Sequence, residues 1–162
     1  MEVFRVTLIA LTMIMEARNQ PDLGRSMVGY VILNRGGQEG VEVVVYQDHQ
    51  FAVWHPGLYG PGHSLRLAVL NCYARGAFPD DPWCIERWME ARAPGWTPQF
   101  KVGSEEYWRH VYSLAEEVYA GEWSPPADLE SKRHFDNPLL WPGGLPPWLE
   151  DCEKIGDHIF CE

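Results

Sequence analysis

From Val3 to Met15 nearly every position is apolar, and the run stops at a single carboxylate, Glu16. A helix that is apolar on all sides has to be enclosed by other elements rather than laid on a surface. The pattern therefore predicts a buried helix at whose end Glu16 emerges from a dry wall. Asn19, Pro21, Asp22 and Gly24 supply turn chemistry, after which Met27, Val28, Val31 and Ile32 recur at helical spacing. That predicts a second helix ending at Asn34 and Arg35, broken by Gly36, Gly37 and Gly40. The valine-rich stretch that follows supports two readings: Val41, Val43 and Val45 alternate as in a strand, while Val41, Val44 and Val45 suit one helical face.

Gln50 and Phe51 close that element, and Trp54 to Gly62 reads as a loop rich in Pro and Gly. Ser64 is placed to cap a helix whose Leu65, Ala68, Val69 and Cys72 share a face. Between Phe78 and Gly103 lie four prolines and three tryptophans, with a short helix expected around Ile85 to Ala91. So many large apolar groups make this an irregular cover rather than a linker, with its Trp rings packed as core rather than stacked on sugars. Ser104 opens the clearest surface helix, with Glu105 and Glu106 in its first turn and Gly121 just past its end. Trp108, Val111, Leu114, Ala115 and Val118 make its inner stripe. From Glu122 onward six prolines predict a long irregular segment.

A length of 162 residues bounds the chain to one domain, 1–162, with a real core. The formal charge of −10 argues against nucleic acid, which demands clustered Lys and Arg along a backbone track, and against an anionic lipid surface. The apolar run after Arg5 is a poor signal peptide, with Glu2 beside its one arginine and no small-x-small cleavage site. It is also shorter than the roughly 20 residues of a membrane span. Cys72, Cys84, Cys152 and Cys161 show no CxxC. Free buried thiols are the default reading, disulfides formed in an oxidising compartment come next, and zinc last.

Chemistry concentrates at Glu16. Removing a carboxylate from water disfavours its charged form and raises its pKa, and the negative end of a helix dipole pushes the same way. A carboxylic acid still protonated near neutral pH is what general acid catalysis at a glycosidic oxygen requires. The plainer alternative is a glutamate marking where a buried helix reaches water.

Scattered blocks in a fixed order strengthen the chemical reading. They are Glu16-Ala17-Arg18, Gly24, Val28, Val31 to Arg35 as VILNR, Val44-Val45, Gln50-Phe51, Ala120-Gly121, His134-Phe135, Trp148, and Ile155-Gly156 with His158 and Phe160. In these the chain resembles the cell-wall hydrolase family of the spore cortex-lytic enzyme SleB, a peptidoglycan-cleaving group also found among phage lysins. The resemblance implies an α+β, mainly helical lysozyme-like single domain with a small β element. It also implies cleavage of the β-1,4 bond after N-acetylmuramic acid, as a lytic transglycosylase with Glu16 as the one acid/base. No cofactor or metal is implied. Asn34, Gln50, Phe51, His134 and Trp148 are the expected substrate-binding residues. Ser131, Lys132 and Arg133 stand where the family usually shows Gly-Ala-Thr, and Trp54 to Gly103 has no counterpart.

The implied partner is the peptidoglycan glycan strand, met by a monomer made in the cytoplasm of a bacterial host without a signal peptide and acting at the cell wall or periplasm, with a holin giving access. Three alternatives stand beside this. One is a hydrolytic muramidase using Glu16 plus Asp136, Asp151 or Asp157. Another is a wall- or virion-associated binding protein without turnover. The third is a metalloenzyme built from His134, His158 and the late cysteines. His158 itself reads as a structural histidine.

Overall fold

The apolar run folds as α1, Glu2–Ala17, and every position from Val6 to Ile14 is buried. In this computed structural model residues 1–47, 51, 54, 62–92, 100–136, 138 and 143–162 are described. Leu8, Ile9, Leu11, Met13 and Ile14 are fully enclosed, and each such side chain contributes roughly 1.5–3 kcal/mol by leaving water. Thr7 and Thr12 are tolerated in this wall because their hydroxyls donate to Val3 O and Leu8 O, each at 2.7 Å. Thr12 Oγ1 in turn accepts the indole N–H of the buried Trp54 at 3.1 Å.

Around α1 pack α2, Asp22–Gly36, α3, Val41–Tyr46, and α6, Glu105–Ala120. Gly29 allows the α1–α2 approach, since a Cβ there would lie 2.5 Å from Met13 Cε and 3.0 Å from Ile9 Cγ2. The valine-rich stretch resolves as the helix α3: Val41, Val44 and Val45 are buried and Val43 is exposed, whereas an alternating strand would have turned Val43 inward with its neighbours. Ser104 caps α6 by accepting the Tyr107 amide at 3.1 Å, and Gly121 closes it in the left-handed conformation, φ 74°. Of the expected inner stripe, Trp108, Val111, Ala115 and Val118 are buried and Leu114 half-buried.

Between α3 and α6 lie α4, Gly62–Ala74, and α5, Cys84–Arg92. Leu65, Ala68, Val69 and Cys72 form the buried face of α4. Its helix begins two residues ahead of the expected cap, which puts Ser64 inside the first turn. Trp83 and Trp88 are half-buried, and Trp83 donates its indole N–H to Gly103 O at 3.0 Å. The thiol reading is corrected by two disulfides, Cys72–Cys84 between α4 and α5 and Cys152–Cys161 in the tail. Both pairs are distant in sequence spacing from any knuckle motif, so only the fold reveals them.

The tail is less irregular than its prolines predict. Three short strands, β1, His134–Asp136, β2, Glu153–Ile155, and β3, His158–Cys161, form an antiparallel sheet in the order β1-β3-β2. Phe135 stands opposite Phe160, and their rings stack at 5.9 Å against the main core. Leu149, Ile159, Cys161 and Cys152 form a separate small cluster. Lys132 is 1% exposed, with its ammonium donating to Asp151 O and 3.6 Å from the Asp151 carboxylate. The whole is a mainly helical α+β fold. No described helix is long and apolar enough to cross a membrane.

Candidate functional site

Glu16 is the last residue but one of α1, at the point where the buried wall opens. Burial first, and the negative charge of Asp136 second, push its carboxyl up to about 7. No cation contributes to that shift. Arg18, two residues on, is engaged elsewhere: its guanidinium donates to Lys101 O and lies 5.6 Å over the Tyr107 ring. The Arg18 carbonyl accepts from Arg25 at 2.8 Å and from the Tyr107 hydroxyl at 3.4 Å, which secures the end of α1.

Asp136 reaches Glu16 because β1 runs beside α2 and ends near the turn between α1 and α2. That turn is tied to the sheet by Gln20. Its amide donates to the Asp157 carboxylate at 3.1 Å and accepts the Asp157 backbone N–H at 2.8 Å. Residues two apart on a strand share a face, so His134 follows Asp136 along one side of β1. Trp148 then meets the His134 ring edge-on at 5.9 Å, and its own side is 60% exposed. Burial, with Arg35 and Arg133 nearby, lowers the His134 pKa, which favours the neutral imidazole. Asp136 and His134 thus share one side of β1, with the Asp136 charge acting on Glu16 and the His134 ring in contact with Trp148.

The remaining expected residues occupy different positions. Asn34 donates from Nδ2 to Lys132 O at 3.0 Å and to Glu130 O at 3.3 Å, holding the segment that leads into β1. Beside it an open cavity of about 420 Å³ is lined by Asn34, Glu130, Ser131, Arg133 and Glu162. Phe51 is 1% exposed and stacks on Phe135 at 5.6 Å, so it supports β1 from within the core rather than offering a surface. Gln50 lies outside the described residues.

Asp136 was one of three aspartates that sequence left equivalent. Asp151 and Asp157 are exposed and bound to Lys132 and Gln20 respectively, and neither acts on Glu16. His158 is buried, edge-on to Phe135 at 5.5 Å, with no partner for Nδ1 among the described residues. Burial lowers its pKa against the opposing charges of Asp157 and Asp136. Gln20, which ties the turn after α1 to the sheet, carries no sequence signal beyond its polarity, and Lys132 stands out in the sequence only as part of the Ser131-Lys132-Arg133 departure. Among the described residues no three His, Cys, Asp or Glu side chains are grouped to hold a metal ion; Cys152 and Cys161 are consumed by their disulfide.

Compared with protein-family models, curated proteins and solved structures, the chain matches none.

Proposed function

We propose that the protein is a peptidoglycan-cleaving glycosidase of lysozyme-like design, acting as a lytic transglycosylase on the bond between N-acetylmuramic acid and N-acetylglucosamine. The observation that carries this is the Glu16 carboxyl held up to about 7 by burial and by Asp136, whose strand also carries His134 in contact with an exposed Trp148. A neutral imidazole and an open indole suit an uncharged sugar chain.

In this reading Glu16 gives its proton to the bridging oxygen as the C1–O bond breaks, and the leaving sugar departs as an alcohol. The Glu16 carboxylate then takes the proton from the C6 hydroxyl of the muramic residue, whose oxygen closes on C1. The product is an anhydro ring, and Glu16 ends protonated as it began. Asp136 favours the protonated start by its charge and stabilises the positive charge that builds at C1.

A hydrolytic muramidase is the second reading, favoured by the same nearness of Asp136, because a glycosidase with two carboxylates would use it as the partner of Glu16. Purified walls incubated with the native protein and with Glu16→Gln test both. Clearing by the native protein alone with anhydro ends supports the first, and plain reducing ends support the second. Clearing by Glu16→Gln at the native rate would refute both, and binding without clearing would leave a wall-binding protein.

A further inference from the structure

We propose that a cavity between the end of α4 and α5 is an oxyanion site that takes a phosphate group. The chain carries 13 Lys and Arg against 23 Asp and Glu, a net −10. Three of those few cations nonetheless line one cavity of about 260 Å³: Arg75, Arg87 and Arg92, together with Trp88 and Cys84. Like charges gathered in one place repel, and an ion pair relieves only one of them, Arg87 with Asp81. Arg92 lies 4.5 Å over the Trp88 ring. Among the described residues neither it nor Arg75 forms an ion pair with a carboxylate.

A second observation comes from Trp88, whose indole N–H is buried with no acceptor among the described residues. Leaving a buried donor unpaired is unfavourable, and Trp88 is one of the residues that line the cavity. Guanidinium groups match phosphate and carboxylate through paired N–H donors. A single carboxylate occupies one such fork. Three forks around one space suit a tetrahedral group with several oxygens. The Cys72–Cys84 disulfide ties α4 to α5 beside the cavity, which keeps the three cations from spreading apart. The remaining acidic surface repels a polyanion, so binding is confined to this spot and is sensitive to salt.

The cavity shares no lining residue with the Glu16 site and does not depend on cleavage. Calorimetric titration of the full chain at low salt, with pyrophosphate, a glycerol-phosphate oligomer and succinate as probes, tests it. Both phosphate probes should bind saturably and more tightly than succinate. Arg75→Gln with Arg92→Gln should weaken them at least tenfold without changing the melting curve. Arg75→Gln alone, at an exposed position outside any helix, should give a smaller loss in the same direction. Glu16→Gln should bind as the native protein does, which separates this site from the proposed chemistry. Absence of saturable phosphate binding, succinate binding as tightly as pyrophosphate, or full affinity in the single and double arginine variants would each overturn the proposal.

Discussion

Asp136 raises the proton affinity of Glu16, although the two stand 120 positions apart in the sequence. Burial is the larger cause of the raised pKa and Asp136 the smaller. Removing the aspartate charge should therefore lower the Glu16 pKa without returning it to the ordinary carboxylate range. For an acid that works protonated, the rate falls as pH rises through its pKa. Native clearing should decline above about pH 7, and the decline in Asp136→Asn should begin at lower pH. A pH–rate profile of wall turbidity reads this directly. An unshifted limb would remove Asp136 from the electrostatics, and loss of rate at every pH would mark it as the second carboxylate of a hydrolase.

The same shift sets a cost in stability. Glu16 ionises near 4.5 in an unfolded chain and at about 7 in the fold. Between those values the folded state binds the extra proton, so stability falls as pH rises and the loss is complete above pH 7. The full shift corresponds to at most about 3 kcal/mol. Glu16→Gln, which cannot ionise, should be more stable than the native protein at pH 8 and about equal to it at pH 4. Denaturant melts at the two pH values check the difference. Equal gains at both would assign the effect to packing instead of charge.

Cys152–Cys161 sits in a small apolar cluster separate from the main core. Among the described residues the cluster around it contains Leu149, Ile159 and the two half-cystines, and β3, which carries Cys161, is the central strand beside β1. A link across nine positions restricts the unfolded chain by roughly 2–3 kcal/mol. Replacing both cysteines with serine should lower the melting temperature. It should also raise hydrogen exchange in β1 and β3 while leaving α1 and α2 protected. Uniform loss of protection across the helices would show that the sheet and helices unfold as one unit.

What could be read from the chain followed from local periodicity. The run in α1 had one solution because it offers no polar face, and α6 announced itself by Ser104, its acidic first turn and Gly121. The stretch at α3 did not, because six valine-rich residues satisfy both a period of two and a helical face, and only packing against α1 and α2 chooses. Glu16 could be singled out as the charge at the end of an apolar helix. The choice of Asp136 over Asp151 and Asp157 could not, since it depends on how β1 docks beside α2. Phe51 reads as an aromatic near the site, yet its burial against Phe135 is a tertiary fact.

Gly156 tests how far the turn after β2 governs the site. It has φ 61°, and a Cβ there would fall on the Gln20 amide oxygen and lie 3.2 Å from Pro21 Cδ. Alanine in this conformation costs about 1–2 kcal/mol by itself. Displacing Gln20 would also break its two hydrogen bonds to Asp157, each worth about 1 kcal/mol. Gly121 offers the comparison, since it is left-handed at φ 74° with nothing within 4 Å of an added Cβ. Gly121→Ala should show the conformational cost alone, and Gly156→Ala about twice that. Because Gln20 lies in the turn that follows Glu16, only Gly156→Ala should also shift the pH limb of clearing. Equal destabilisation by the two variants, with identical pH profiles, would mean that Gln20 moves aside freely and that the sheet does not fix the position of the acid.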